Sequence, residues 1–319
     1  MIKIFQEEDK SLISKEYSFD DEIEFESGSW IHIEDPTVDV LNKISKLTGI
    51  SNTFLLSALD EEESARIDSD DGDTLIVLDT PYIELDTGHF STAPFIIAYN
   101  RSYYVTIQRH NFEIVSELFK RVKIVEPHKH VRLTLNLVYR LATLFIIYLK
   151  KINQKTENLE NSLRSSTKNK ELLELMDTNK TLIYFSTALN GNKGVLTKLL
   201  RSQTYKKYES DFDLMEDTQV EMDQAIEMCS ISRSVLNSMM DAFGSIINNN
   251  VNAIMKTLAV VTIVLSIPTL VASVYGMNFS YLPLSNDPNG FWIMLSVSFV
   301  VAILAAVLII LYTRRNKGD

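Results

Sequence analysis

The chain has one cysteine, Cys229, among 319 residues. A single thiol excludes an intrachain disulfide framework and any CxxC metal or redox site. Histidine is scarce too, five in all, and none stands in HExxH or another spaced ligand pair. His128 and His130 fall in the run Pro127-His128-Lys129-His130, which reads as a solvated loop, with metal ligation as the minor alternative. There is no surplus of positive charge: the net charge is −11, which argues against nucleic acid as a partner, because phosphate binding needs a basic face. Catalytic signatures are missing as well. No Gly-rich phosphate loop, no Gly-x-Ser-x-Gly and no histidine beside a plausible nucleophile occurs, so no enzyme and no resident cofactor is expected. The N-terminus, Met1-Ile2-Lys3-Ile4-Phe5, lacks the basic flank and apolar core of a signal peptide. The N-terminal part is therefore expected to stay in the compartment where it is made.

Charge is absent from two stretches near the C-terminus, Leu258 to Val274 and Phe291 to Tyr312. Between Thr257 and Tyr312 the only acid or base, tyrosine aside, is Asp287. A mean hydropathy of +0.01 beside 23% charged residues is thus an average over a polar body and an apolar tail. Both stretches are candidate membrane spans, and the length of the whole chain allows one large or two ordinary domains.

The body, residues 1–125, reads as a mixed α/β domain. Trp30-Ile31-His32-Ile33 alternates and closes at Asp35-Pro36, a strand ended by a turn. Val38 to Leu47 carries Val38, Leu41, Ile44 and Leu47 at helical spacing, with Gly49 as a stop. Leu55 to Leu59 begins another short helix. Leu75 to Leu78, Pro94 to Tyr99 and Tyr103 to Ile107 are strand candidates, with Asn100-Arg101-Ser102 as a hairpin turn. Phe112 to Lys123 is a helix. Strands with helices outside them imply an α+β domain of α/β/α layers. Asp60 to Glu63 and Asp68 to Asp73 are acidic runs around Arg66. Hard divalent cations take carboxylate oxygens, although a solvated acidic loop is the commoner use of such a run.

Strand signals end at Val131. Residues 126–210 read as two long antiparallel helices, Val131 to about Ser165 and Lys168 to about Tyr208. Leu141 to Leu149 is very apolar but short, follows Arg140, contains Thr143, and runs into Lys150-Lys151, which marks a buried helix rather than a span. Gly191 and Gly194 are expected to weaken or kink the second helix. A third helix occupies 211–277. It starts near Phe212, and Gly244 is its only glycine before Pro268. Cys229, Leu236 and Phe243 hold one heptad position, Met239 and Ile246 a second. The pattern enters the apolar run without a linker. One helix from about 215 to 276 would measure roughly 90 Å at 1.5 Å per residue, three times a bilayer core of about 30 Å. The excess is a cytoplasmic stalk, and its apolar stripe implies oligomerisation.

Within the span, about 255–277, polar residues share one face. Asn252, Thr262, Ser266, Thr269 and Ser273 align, and Met255 and Leu258 extend the face at the cytoplasmic end. Such hydroxyls either pack helices and bond back to the preceding turn, or line a water-filled path. The stalk and the oligomer it implies favour the path. Lys256 flanks the first span, Arg314, Arg315 and Lys317 follow the second at 291–312, and the loop 278–290 has no Lys or Arg. The positive-inside rule then places both termini, including the basic tail 313–319, in the cytoplasm.

Tyr275-Gly276-Met277-Asn278-Phe279, after a long helix and before one last span and a basic tail, resembles the CorA family of divalent metal ion (magnesium/cobalt) transporters. The stretch Asn252-x-x-Met255-Lys256-x-Leu258 resembles the family's pore helix, with weaker echoes at Trp30-Ile31-His32-Ile33 and Arg66. The resemblance spans the chain but is specific only in about the last quarter. It implies a funnel-shaped homopentamer in the plasma membrane, with one very long stalk and pore helix per subunit. The transported ion would be Mg²⁺, with Co²⁺ and Ni²⁺ as further candidates. A Zn²⁺ transporter of the same build, or a membrane-anchored sensor or scaffold, is the alternative.

Carried onto this chain, the resemblance implies that Gly276, Met277 and Asn278 form the outer mouth, where five Asn278 carboxamides hold a hydrated ion. Ser273, Thr269, Ser266 and Thr262 would offer hydroxyls below it. Met255 and Leu258 would form a hydrophobic constriction, and Asn252 the last polar ring. Regulatory Mg²⁺ would sit on carboxylates between subunits, with Asp217 as one ligand. The family's acidic pair falls at Leu56 and Ser57 here; Asp60, Glu61 and Glu62, one turn on, are the substitutes. Outer-loop acidic places are taken by Ser280 and Leu284, leaving Asp287.

Overall fold

The computed structural model describes residues 1–8, 11–19, 21–22, 25–84, 87–110, 114–121, 125–165, 169–202, 211–277, 283–284 and 287–315. The chain divides into two compact units, Met1–Met240 and Asp241–Asp319.

The first unit is built on a seven-stranded sheet in the order β2-β1-β3-β7-β6-β5-β4. The strands are β1 (Ile2–Glu8), β2 (Ser11–Tyr17), β3 (Trp30–Glu34), β4 (Arg66–Asp70), β5 (Asp73–Ile83), β6 (Phe90–Tyr99) and β7 (Tyr104–Gln108). Only the β3–β7 pairing is parallel; the others are antiparallel. Because successive side chains alternate faces, both faces of the central strands are apolar. Ile31, Ile33, Val105 and Ile107 pack with Val40, Leu41 and Ile44 of helix α1 (Val38–Thr48). The opposite face carries Phe5, Trp30 and Tyr104. Phe5 and Trp30 meet Phe119 with ring centroids 5.0 and 5.8 Å apart. Tyr104 OH lies 2.8 Å from Thr134 Oγ1. Those partners sit on α3 (Ile114–Arg121) and α4 (His130–Ser165). The layers are α/β/α, as the strand and helix pattern predicts.

Two strands at the N-terminus were not foreseen. In β1, Ile2 and Ile4 face the core while Lys3 and Gln6 stay half-buried, so the apolar positions are few. The acidic run Asp68 to Asp73 is a hairpin rather than a loop: β4 and β5 pair through it, and Asp71 and Gly72 take φ of 46° and 92°, the left-handed pair that a two-residue turn requires. Leu55 to Leu59 resolves into α2 (Asn52–Leu56) and one turn of 3₁₀ helix. Gly49 ends α1 at φ 72°. Trp30, the echo noted in the sequence, is fully buried and donates its indole N–H to Thr106 Oγ1 at 2.8 Å; its role is in the core.

Helix α5 (Asn169–Arg201) runs through both of its glycines without a break. At Gly191 an added Cβ would stand 3.1 Å from Ala65 Cβ, so the glycine serves a close approach to the sheet and not a kink. Beside it, fully buried Asn192 donates to Asp79 O at 2.8 Å and accepts from Asp79 N–H at 2.9 Å, clamping helix to strand. Burial pushes the Asp79 carboxyl up to about 6. A carboxyl whose folded pKa lies above its unfolded value contributes most below about pH 4 and loses that contribution as pH rises through 6. Asp79→Asn is therefore expected to raise stability by about 2–3 kcal/mol at pH 7.5 and to leave it nearly unchanged at pH 4. Denaturant titrations at the two pH values check this; an equal effect at both would contradict it.

Helix α6 (Phe212–Tyr275) is unbroken, and the division between the units falls within it. In its first half, Met215, Met222, Ala225, Cys229 and Leu236 are buried at steps of three, four and seven. Neighbouring helices of the same chain cover them: Cys229 Sγ contacts Leu182 O at 3.5 Å, Thr143 Oγ1 donates to Glu221 at 2.8 Å, and Lys193 pairs with Asp223 at 2.8 Å. Much of the stripe taken as a sign of oligomerisation is thus satisfied within one chain. The second unit holds the remainder of α6 and helix α7 (Gly290–Arg315).

Candidate functional site

Three helices among the described residues are long and apolar enough to cross a bilayer. The most apolar window of α4 is 72% buried, that of α6 is 0% buried and that of α7 11%. Helix α4 spends its apolar surface inside the first unit, as the charges within it foretold. The other two leave theirs exposed, which water does not tolerate on this scale and lipid does.

The two exposed helices of the second unit each have one covered side. On α6 it is Val260, Val264, Ile267, Pro268, Val271 and Tyr275, all half-buried. On α7 it is centred on Ser298 and Ala302, 3% and 0% exposed, with Ala305 and Ala306 half-buried. Small residues four apart let helix backbones approach closely. At 100° per residue the covered side of α6 points directly away from Thr262, Ser266, Thr269 and Ser273. Those four hydroxyl residues are exposed, as are Asn252, Met255 and Leu258. Met255, Thr262, Thr269 and Gly276 recur at intervals of seven, so the stripe holds one direction to the end of the helix.

Of the two uses of a hydroxyl considered for this face, bonding to the preceding turn is observed. Thr262 Oγ1 donates to Leu258 O at 2.8 Å, Ser266 Oγ to Thr262 O at 2.7 Å and Thr269 Oγ1 to Leu265 O at 2.8 Å. Each proton is spent on the preceding turn. A hydroxyl oxygen keeps two lone pairs, so what the stripe presents outward is a row of acceptors. Water molecules around a cation point their hydrogens outward and need acceptors.

At the outer end Gly276 N–H bonds to Ala272 O and Ser273 O at 3.0 and 3.2 Å, and Met277 N–H to Val274 O at 3.2 Å. Tyr275 OH donates to Pro283 O at 2.9 Å. Met277 is exposed. An added Cβ at Gly276 would meet nothing nearer than 3.5 Å, so neither backbone strain nor crowding in this chain demands the glycine. Asn278 and Phe279 lie outside the described residues, as does Ser280; Leu284 is described, with φ 61°.

The predicted regulatory carboxylates are not brought together within one chain. Asp217 is exposed on α6, and Asp60 and Glu61 are exposed after the 3₁₀ turn. Asp60 Oδ1 accepts from Glu62 N–H at 2.9 Å, and Glu61 Oε1 pairs with Arg109 Nη1 at 3.0 Å. Arg66 is paired with Glu63 and Asp68. Among the described residues no group of three or more His, Cys, Asp or Glu side chains is placed to hold a metal ion. That covers the alternative for His128 and His130 also: His128 Nδ1 is 3.3 Å from Glu7, and His130 stands against Tyr99, ring centroids 5.3 Å apart.

The chain matches the model of the CorA-like Mg²⁺ transporter protein family over residues 25–315. It belongs to that family. The CorA family is one of transporters, not of enzymes. A relative from Methanocaldococcus jannaschii, a cobalt/magnesium transport protein CorA, is 31% identical over 93% of this chain and 94% of its own length. The complete structure of a CorA magnesium transporter from the same organism superposes with a TM-score of 0.81 at 30% identity, covering 97% of this chain and 96% of that one. A ZntB cytoplasmic domain from Vibrio parahaemolyticus gives a TM-score of 0.61 over 77% of this chain and 98% of its own, at 11% identity, which shows a shared fold only. The CorA match spans the α/β domain, the long helices and the apolar C-terminal helices together.

Proposed function

We propose that the chain is a Mg²⁺ channel, admitting Co²⁺ and Ni²⁺ as related hydrated ions, in which α6 from each of five subunits lines a central pore and α7 lies behind it. The observation that carries the reading is the exposed acceptor stripe of α6, opposite the side covered in its own unit. One subunit leaves that stripe facing nothing; a ring of subunits around an axis turns it onto water. The names of the CorA relatives, cobalt/magnesium and magnesium transport proteins, set the ion. Zinc has no comparable support in the names of these relatives.

Mg²⁺ gives up its waters reluctantly, so the path offers neutral acceptors to a hydrated ion and not a carboxylate cage. Asn278 carboxamides hold it at the mouth, and Gly276, in line with Thr269, keeps the mouth wide. Ser273, Thr269, Ser266 and Thr262 accept from its waters below. Met255 and Leu258, both exposed on this face, narrow the path to an apolar ring that closes by dewetting, with Asn252 beneath. Both termini are cytoplasmic and the subunit crosses the plasma membrane twice. Cytoplasmic Mg²⁺ closes the funnel by bridging Asp217 of one subunit to Asp60 and Glu61 of the next, where it competes with Arg109 for Glu61.

The orientation of α6 is tested by thiol labelling. Cys229 is buried and its thiol is pushed up to about 11, chiefly by burial, so it adds no background. Thr269→Cys is expected to react with a charged, membrane-impermeant thiosulfonate about tenfold faster than Ile267→Cys, because accessible thiolate sets the rate. Equal rates would remove α6 from the pore wall.

A further inference from the structure

His128, Lys129 and His130, of the run Pro127-His128-Lys129-His130, have no part in the proposed ion path, yet they form a wall of a cavity of about 740 Å³ in the first unit. The cavity lies where the β4–β5 and β6–β7 turns meet the start of α4. That volume is within the range of sites for small organic ligands, roughly 300–1,000 Å³, and far exceeds one inorganic anion. Its walls differ in character. Arg101, Lys129 and Arg132 supply cationic side chains, and Tyr99, Ile67 and Val131 supply aromatic and apolar surface.

Three observations bear on the occupant. First, α4 opens toward this cavity with no acidic residue in its first turn. A helix N-terminus carries positive partial charge and unpaired N–H groups, so cations gathered there are unfavourable until an anion joins them. Lys129 has Glu126 at 2.8 Å as an exposed partner; Arg101 forms no ion pair among the described residues. Secondly, Asp211 lines the same cavity and is 5% exposed; its Oδ1 forms an ion pair with Arg132 Nη1 at 3.4 Å but accepts no hydrogen bond. A buried carboxylate oxygen needs a donor, which a bare anion cannot supply. Thirdly, Tyr99 presents a ring beside half-buried His130, whose pKa burial lowers to about 4, so that His130 adds a neutral ring to the wall.

We infer that this cavity binds a nucleoside phosphate. The phosphates lie on Arg101, Lys129 and the α4 N-terminus, a hydroxyl or amino group donates to Asp211, and the base rests against Tyr99. Each wall then meets the part of one molecule that it suits. The inference does not rest on the transport reading and is tested without flux.

Full-length protein in detergent micelles is titrated calorimetrically with ATP and, separately, with inorganic triphosphate, in divalent-free buffer and again at fixed free Mg²⁺. ATP is expected to bind more tightly than triphosphate. Arg101→Ala with Lys129→Ala is expected to weaken both by about tenfold or more, since charge-assisted bonds to phosphate are the strong ones. Asp211→Asn is expected to weaken ATP and leave triphosphate unchanged. Unaltered melting temperatures of the variants show that they fold. Absence of ATP binding at millimolar concentration, or binding undiminished in the Arg101/Lys129 variant, would overturn the site. Triphosphate binding as tightly as ATP would overturn the nucleoside assignment.

Discussion

Asn278→Ala is expected to lower Mg²⁺ uptake by at least about tenfold, because in the proposed ring every subunit would lose a hydrogen bond to the ion's waters, each worth about 0.5–1.5 kcal/mol. Gly276 and Met277 still bond back to the last turn, and Asn278 is the next residue. Nothing acidic accompanies it before Asp287, so in the proposed mouth the carboxamide oxygen would meet an ion's waters with no carboxylate beside it in sequence. Alanine removes them and leaves the helix as it is. Asn278→Asp separates binding from passage. In the proposed ring, carboxylates would hold the ion more tightly, and conduction needs a site weak enough to leave, so uptake is expected to fall while the apparent affinity rises. Uptake in dye-loaded liposomes that is unchanged in Asn278→Ala would remove the residue from the path.

The second large effect is expected at the constriction. Met255 and Leu258 are 58% and 57% exposed in the single chain and lie on the acceptor face one turn apart. Closed in a ring, their side chains exclude water without blocking the axis sterically, and a divalent ion cannot shed its shell to pass. Met255→Ser combined with Leu258→Ser wets the ring. The account predicts that most of the inhibition by Mg²⁺ inside the vesicle is lost while selectivity at the mouth is retained. A double variant still shut by internal Mg²⁺ to the same extent would place the gate elsewhere.

The two apolar C-terminal helices were legible because their signal is periodic and uninterrupted. A helix that keeps a phase of seven from Met255 to Gly276 can be followed residue by residue, and the absence of charge on either side of Asp287 marks the two apolar runs. The central strands were legible for a similar reason, since Leu75 to Leu78 and Pro94 to Tyr99 are buried on both faces and need continuous apolar residues. The sheet edges were not. In β4, Arg66, Asp68, Ser69 and Asp70 occupy an edge strand, whose exposed face has no need of apolar side chains, so an acidic strand looks like an acidic loop. Gly191 was misjudged because its constraint, Ala65 Cβ at 3.1 Å, is distant in sequence. Asn192 was missed for the same reason: its partner Asp79 lies 113 residues away, and a lone asparagine inside a helix announces nothing. Asp217, Asp60 and Glu61, expected to hold a regulatory ion, belong to no metal-holding group of three or more such side chains among the described residues.

The account's central claim is passage of a hydrated divalent ion down its electrical gradient, which is worth about 2.3 kcal/mol per charge per 100 mV and twice that for Mg²⁺. The direct measurement is Mg²⁺ entry into liposomes containing the purified protein, followed with an internal Mg²⁺ dye while a K⁺ gradient and valinomycin set the potential. The account predicts entry that grows steeply as the interior is made negative, with no pH gradient imposed. Entry indifferent to the potential, or no greater than in protein-free liposomes, would contradict it.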